Sequence, residues 1–132
     1  MMKMLFTLFF FTLFINADHI HWLGNYDKAL QRAQKEHKSL MVLLVKKECP
    51  SCNAVIRDAF MGQEYVKYLN QKFVSVIVTY EGRESYPIEM FYSTNFPTLF
   101  FVNSQIETFL SEPLYGKSID ERSIKKILKE LL

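Results

Sequence analysis

The clearest hydrophobic signal is the run Leu40-Met41-Val42-Leu43-Leu44-Val45, which has no polar residue and is of strand rather than helix length. Such a continuous run is expected of a parallel strand covered on both faces. Phe73-Val74-Ser75-Val76-Ile77-Val78 is a second β-rich run, and Glu81-Gly82-Arg83 ends it as a loop. A third, Leu99-Phe100-Phe101-Val102, is separated by Asn103-Ser104-Gln105 from Ile106-Glu107-Thr108-Phe109-Leu110, whose alternation predicts an antiparallel hairpin partner.

Helical spacing fills the intervals. Trp22-Leu23 precedes Asn25, a good N-cap, and Tyr26, Ala29, Leu30 and Ala33 then recur on one face up to about His37. Pro50 suits a first helical position, predicting a helix to about Phe60 that Gly62 breaks. Glu64 to Leu69 reads as a short extra helical turn, and Pro87 opens a short helical stretch to about Ser93. At the end, Ser118 with Glu121 fits a capping box, and Ile124, Ile127, Leu128 and Leu131 form one apolar face. Lys125, Lys126 and Lys129 lie favourably near that helix's negative end. The predicted order is βαβαβαββα, an α/β chain.

The first 17 residues follow neither pattern. Met1-Met2-Lys3 followed by the Phe/Leu-rich run Met4 to Ile15, ending in Asn16-Ala17-Asp18, reads as a signal peptide over 1–17 with cleavage after Ala17. Residues 18–132 then form one domain, exported to a periplasmic or extracellular space, with membrane attachment only if the leader is uncleaved. Sixteen Lys and Arg against 14 Asp and Glu give a net charge of +2. The two signs are interleaved, so no nucleic-acid footprint appears.

Candidate chemistry centres on the only two cysteines, in Lys47-Glu48-Cys49-Pro50-Ser51-Cys52-Asn53. A helix starting at Pro50 aims free N–H groups and its positive end at the Cys49 sulfur, which favours the thiolate that attacks disulfides or binds metal. Tetrahedral zinc wants about four N or S ligands, and no second cysteine pair or nearby histidine supplies them. In an exported chain, one such pair fits a reversible dithiol better than a multi-bridge framework.

Cys49-Pro50-Ser51-Cys52 after an apolar strand, Phe96-Pro97-Thr98 at the head of a late strand and Gly116 before a terminal amphipathic helix resemble the thioredoxin family. The opening, with Trp22, Tyr26 to Ala33 and Lys38-Ser39-Leu40, is similar to its exported, thioredoxin-related subgroup. The resemblance implies a thioredoxin-like fold, a central mixed β-sheet flanked by helices, and thiol:disulfide oxidoreductase activity, leaning toward reduction. It implies Cys49 as the exposed attacking nucleophile and Cys52 as the more buried resolving thiol. Pro97 is expected to be a cis-proline beside them, with the Phe96 backbone pairing with substrate. Neither cofactor nor metal is implied, and the partners are proteins carrying disulfides or thiols together with a redox partner.

Departures accompany the likeness. Leu43 stands where many thioredoxins hold a buried carboxylate, Glu48 replaces the tryptophan common before the first cysteine, and Ser51 replaces the histidine of some strongly oxidising relatives. Glu48 is open to two readings, a proton acceptor or a solvated surface residue. Two other functions stay open: a Cu(I) site on the two thiolates, and an interaction module with a static disulfide. Lys46 and Lys47 flank the dithiol and read as a solvated pair, His19 and His21 as a mobile tail, and Phe91, Tyr92, Phe96, Phe100 and Phe101 mainly as core.

Overall fold

The computed structural model describes residues 18–131, so the leader expected over 1–17 lies outside the described residues. The strands are β1 (Trp22–Leu23), β2 (Ser39–Lys46), β3 (Phe73–Tyr80), β4 (Thr98–Asn103), β5 (Thr108–Phe109) and β6 (Leu114–Tyr115). The helices are α1 (Tyr26–Glu36), α2 (Pro50–Phe60), α3 (Glu64–Lys72) and α4 (Glu121–Leu131). They build one mixed sheet in the order β1-β3-β2-β4-β5, with β6 also on β4. β1, β3 and β2 are parallel, whereas β4 is antiparallel to β2 and to both β5 and β6.

Side chains alternate across this sheet, so each apolar run serves two cores. Met41, Leu43, Leu99 and Phe101 face one core with Phe60, Leu69, Ile124 and Leu128 from the last three helices. Leu40, Val42, Leu44, Phe100 and Val102 face the other, with Tyr26, Ala29 and Ala33 of α1 and with Phe91. The unbroken apolarity of β2 follows from its place between these layers. α1 starts as expected: the Asn25 side chain accepts the Lys28 N–H at 3.0 Å, and His37 at φ 55° ends the helix in the left-handed region. Gly82 is demanded by close approach, since a Cβ there would lie 2.9 Å from the Thr79 carbonyl oxygen.

Four expectations are corrected. Glu64 to Leu69 is not a single turn but part of a nine-residue helix. Pro87 to Ser93 is not helical. One turn forms, in which the Phe91 N–H donates to the Pro87 carbonyl at 3.1 Å, and the Ser93 hydroxyl then captures the Asn95 N–H at 3.0 Å. A polar side chain thereby competes with helix propagation. The predicted partner strand over Ile106 to Leu110 shrinks to Thr108–Phe109, because Asn103 accepts the Gln105 and Ile106 N–H groups and holds Ile106 in the turn. The Leu110 N–H still donates to the Phe101 carbonyl of β4 at 2.8 Å, and strand pairing with β4 resumes at β6.

The cap of α4 is the fourth. Ser118 lies in a 3-10 turn over Gly116–Ser118, and Asp120 takes its place, with its carboxylate accepting the Ser123 N–H at 2.8 Å. The element order thus carries two helices between β2 and β3 and none between β3 and β4.

Candidate active site

β2 ends at Lys46, and Glu48 at φ 52° makes a left-handed step that turns the chain into α2. Cys49 is the N-cap: its sulfur accepts the Cys52 N–H at 3.1 Å and its carbonyl accepts the Asn53 N–H at 3.2 Å. The helix terminus therefore directs a backbone donor at Cys49 and not at Cys52. The two cysteines form a disulfide, with Cα atoms 5.2 Å apart. Both are buried in this state, Cys49 at 5% and Cys52 at 2% exposure, so the large difference in exposure expected from the sequence is absent. The asymmetry resides in the N-cap.

The structure brings Phe96 and Pro97 to this pair. The Phe96–Pro97 bond is cis, and the segment is held from three sides. The Gly116 N–H donates to the Pro97 carbonyl at 2.8 Å. The buried Thr98 hydroxyl lies 2.6 Å from the Asn95 carbonyl and 2.8 Å from the Ser93 hydroxyl. On the third side Ser51 donates to the Phe96 carbonyl at 3.3 Å, and the same hydroxyl is 3.3 Å from the Cys49 sulfur. Sequence reasoning treated Ser51 only as a lost histidine. Its position between the cysteines could have flagged it, but the distance to Phe96 is a tertiary fact.

Around the disulfide, Tyr80 packs on the Phe96 ring at 5.6 Å between centroids, and the Lys46 ammonium sits 5.4 Å from that centroid. Lys46 is thus an aromatic contact rather than a plain solvated charge. Tyr92 is exposed, whereas Phe91, Phe100 and Phe101 are core. Leu43 is fully buried in an apolar layer, and no Asp or Glu is buried among the described residues. Glu48 is exposed.

His19 and His21 do not form a mobile tail. His19 bridges Met61, its carbonyl accepts from the Asn70 side chain at 2.8 Å, and Asn70 in turn accepts the His21 N–H at 3.0 Å. Burial of Ile20 between them drives the docking.

A thioredoxin-like family model matches residues 21–104, from before β1 to the end of β4, and so takes in the disulfide and the Phe96–Pro97 segment. The chain belongs to the thioredoxin-like family. Anterior gradient protein 2-B of Xenopus laevis is 28% identical over 65 residues, 49% of this chain and 39% of that protein, and anterior gradient protein 2 of Xenopus tropicalis matches equally. The chain spans about two fifths of the length of the curated relatives it matches. Among solved structures, a candidate disulphide-isomerase from Bacteroides thetaiotaomicron is 26% identical with a TM-score of 0.69, covering 84% of this chain and 92% of that one. A thioredoxin from Thermus thermophilus (21%, TM-score 0.67, 86% and 87% covered) shares the fold, as does DsbH oxidoreductase (17%, TM-score 0.67, 89% and 88% covered). The mixed sheet flanked by helices is therefore the thioredoxin-like fold, and its C-x-x-C pair occupies the junction of β2 and α2.

Proposed function

We propose that the protein is an exported thiol:disulfide oxidoreductase acting on the disulfides of other proteins. The observation that carries this reading is the disulfide at the start of α2, with the Cys49 sulfur on a backbone donor and the Phe96 carbonyl reached through one serine hydroxyl. In the reducing direction, the Cys49 thiolate attacks one sulfur of a client disulfide, and the other client sulfur leaves as a thiolate that takes a proton. The Cys52 thiolate then attacks the Cys49 sulfur, closing Cys49–Cys52 and expelling the second client thiolate. Two electrons pass from the dithiol to the client, and a dithiol partner protein restores them. Phe96 and Pro97 form the platform beside the sulfurs, where a client segment pairs with the Phe96 backbone as an added strand.

With no buried carboxylate nearby, the proton of Cys52 leaves to water rather than to a neighbouring acid. Export rests on the sequence of residues 1–17, and sequencing the mature protein should find Asp18 as its first residue. The roles are tested by trapping. Cys52→Ala should accumulate mixed disulfides with client proteins and Cys49→Ala should not. Adducts on the Cys49→Ala protein, or on neither, would contradict the assignment.

A further inference from the structure

The hydroxyl of Ser51 faces two acceptors with one proton. It lies 3.3 Å from the Phe96 carbonyl oxygen and 3.3 Å from the Cys49 sulfur. In the disulfide neither cysteine carries a proton, so Ser51 is the donor in either contact. The distance to the carbonyl is long for a hydroxyl donor, so the Phe96 contact does not lock the rotor. A disulfide sulfur is a weak acceptor beside a carbonyl, and the proton belongs to Phe96 in the oxidised protein. Reduction by a dithiol donor delivers two electrons, breaks the S–S bond and leaves Cys49 as a thiolate, with Cys52 taking one proton. A charged acceptor outcompetes a neutral carbonyl for the same donor.

We infer that Ser51 is a redox-coupled positioning residue: its hydroxyl donates to the Phe96 carbonyl in the disulfide form and turns to the Cys49 thiolate in the reduced form. Two consequences follow. The thiolate gains a second donor besides the Cys52 N–H, which lowers the pKa of Cys49. The Phe96 carbonyl is released in the reduced protein, the state in which a client strand needs that acceptor. The inference rests on Cys49 being the attacking sulfur, but its test needs no client.

The reduced protein, Ser51→Ala and Ser51→Thr are titrated by thiolate absorbance, with the Phe96 carbonyl followed by carbon-13 NMR. Ser51 is exposed, so the expected shift is modest: Ser51→Ala should raise the Cys49 pKa by about one unit, about tenfold less thiolate at a given pH below it. At a pH above both pKa values, its equilibrium with glutathione should move about tenfold toward the disulfide, or ~30 mV. Ser51→Thr, which keeps the hydroxyl, should restore both. In the wild type the Phe96 carbonyl resonance should move with the same pKa as Cys49, and in Ser51→Ala that movement should be lost. An unchanged pKa in Ser51→Ala, or a threonine variant that behaves like alanine, overturns the inference. So does a Phe96 carbonyl that ignores the titration. A protein that titrates as expected yet traps no client would count against the proposed oxidoreductase reading and leave Ser51 in place.

Discussion

Cys49 and Cys52 differ less by exposure than by what reaches their sulfurs, and this decides how their reactivities should separate. Only Cys49 accepts the N-terminal backbone donor of α2. Iodoacetamide at about neutral pH should therefore modify Cys49 of the reduced protein faster than Cys52, because the alkylated species is the thiolate. Mass-mapped labelling rates check this, and equal rates would contradict it. The missing buried carboxylate gives a second prediction. Resolution of a mixed disulfide should rise through one titration in the thiol range, and a second inflection at lower pH would reveal an acid partner. The dithiol, Phe96 and Pro97 were legible as motifs in the sequence. Ser51 was not, because its role depends on a carbonyl brought to it by tertiary folding.

The helix that presents the dithiol is closed at both ends. Cys49 caps its start, and at its end the Gln63 side chain donates to the Asp58 carbonyl and the Tyr65 hydroxyl to the Ala59 carbonyl. Burial, and then the charges of Glu121 and Asp120, push the Tyr65 hydroxyl up to about 12. The neutral phenol is thus favoured by the fold, and its contribution is complete below the ordinary tyrosine value of about 10 and lost as pH rises through the folded value. Stability should therefore fall between about pH 10 and about pH 12. Tyr65→Phe should make that fall shallower in a denaturant series, leaving the part that Tyr26 carries, whose hydroxyl is also pushed up by burial, while costing about 1 kcal/mol at neutral pH for the uncapped carbonyl. At α4, Asp120→Ala should cost about 1 kcal/mol and Ser118→Ala far less, since Asp120 holds the cap. The periodic elements α1 and α4 were readable from apolar spacing, and α2 from Pro50 at its start and Gly62 beyond its end. The cap of α4 and the Pro87 turn were not, because several polar residues there compete for the same backbone groups.

Over the whole molecule, the two-core sheet keeps the strand ends in register, so that the β2 to α2 junction and the Phe96–Pro97 segment before β4 meet. Leu43 is central to it, opposite Ile77 on one side and Leu99 on the other. Leu43→Ala should destabilise the protein by about 2–5 kcal/mol, read from chemical unfolding. The run of β2, apolar from Leu40 to Val45, announced this architecture together with the β-rich runs of β3 and β4, since a strand apolar at every position must have both faces covered. Strand order was beyond them, because it is set by which loops and helices can cross the sheet. The central claim, a dithiol that cycles rather than a fixed brace, is tested most directly by equilibrating the protein in graded glutathione buffers and counting free thiols. The account predicts a reversible two-electron transition with a midpoint between about −300 and −120 mV. A pair that stays oxidised in the most reducing buffer would contradict it and make the disulfide purely structural.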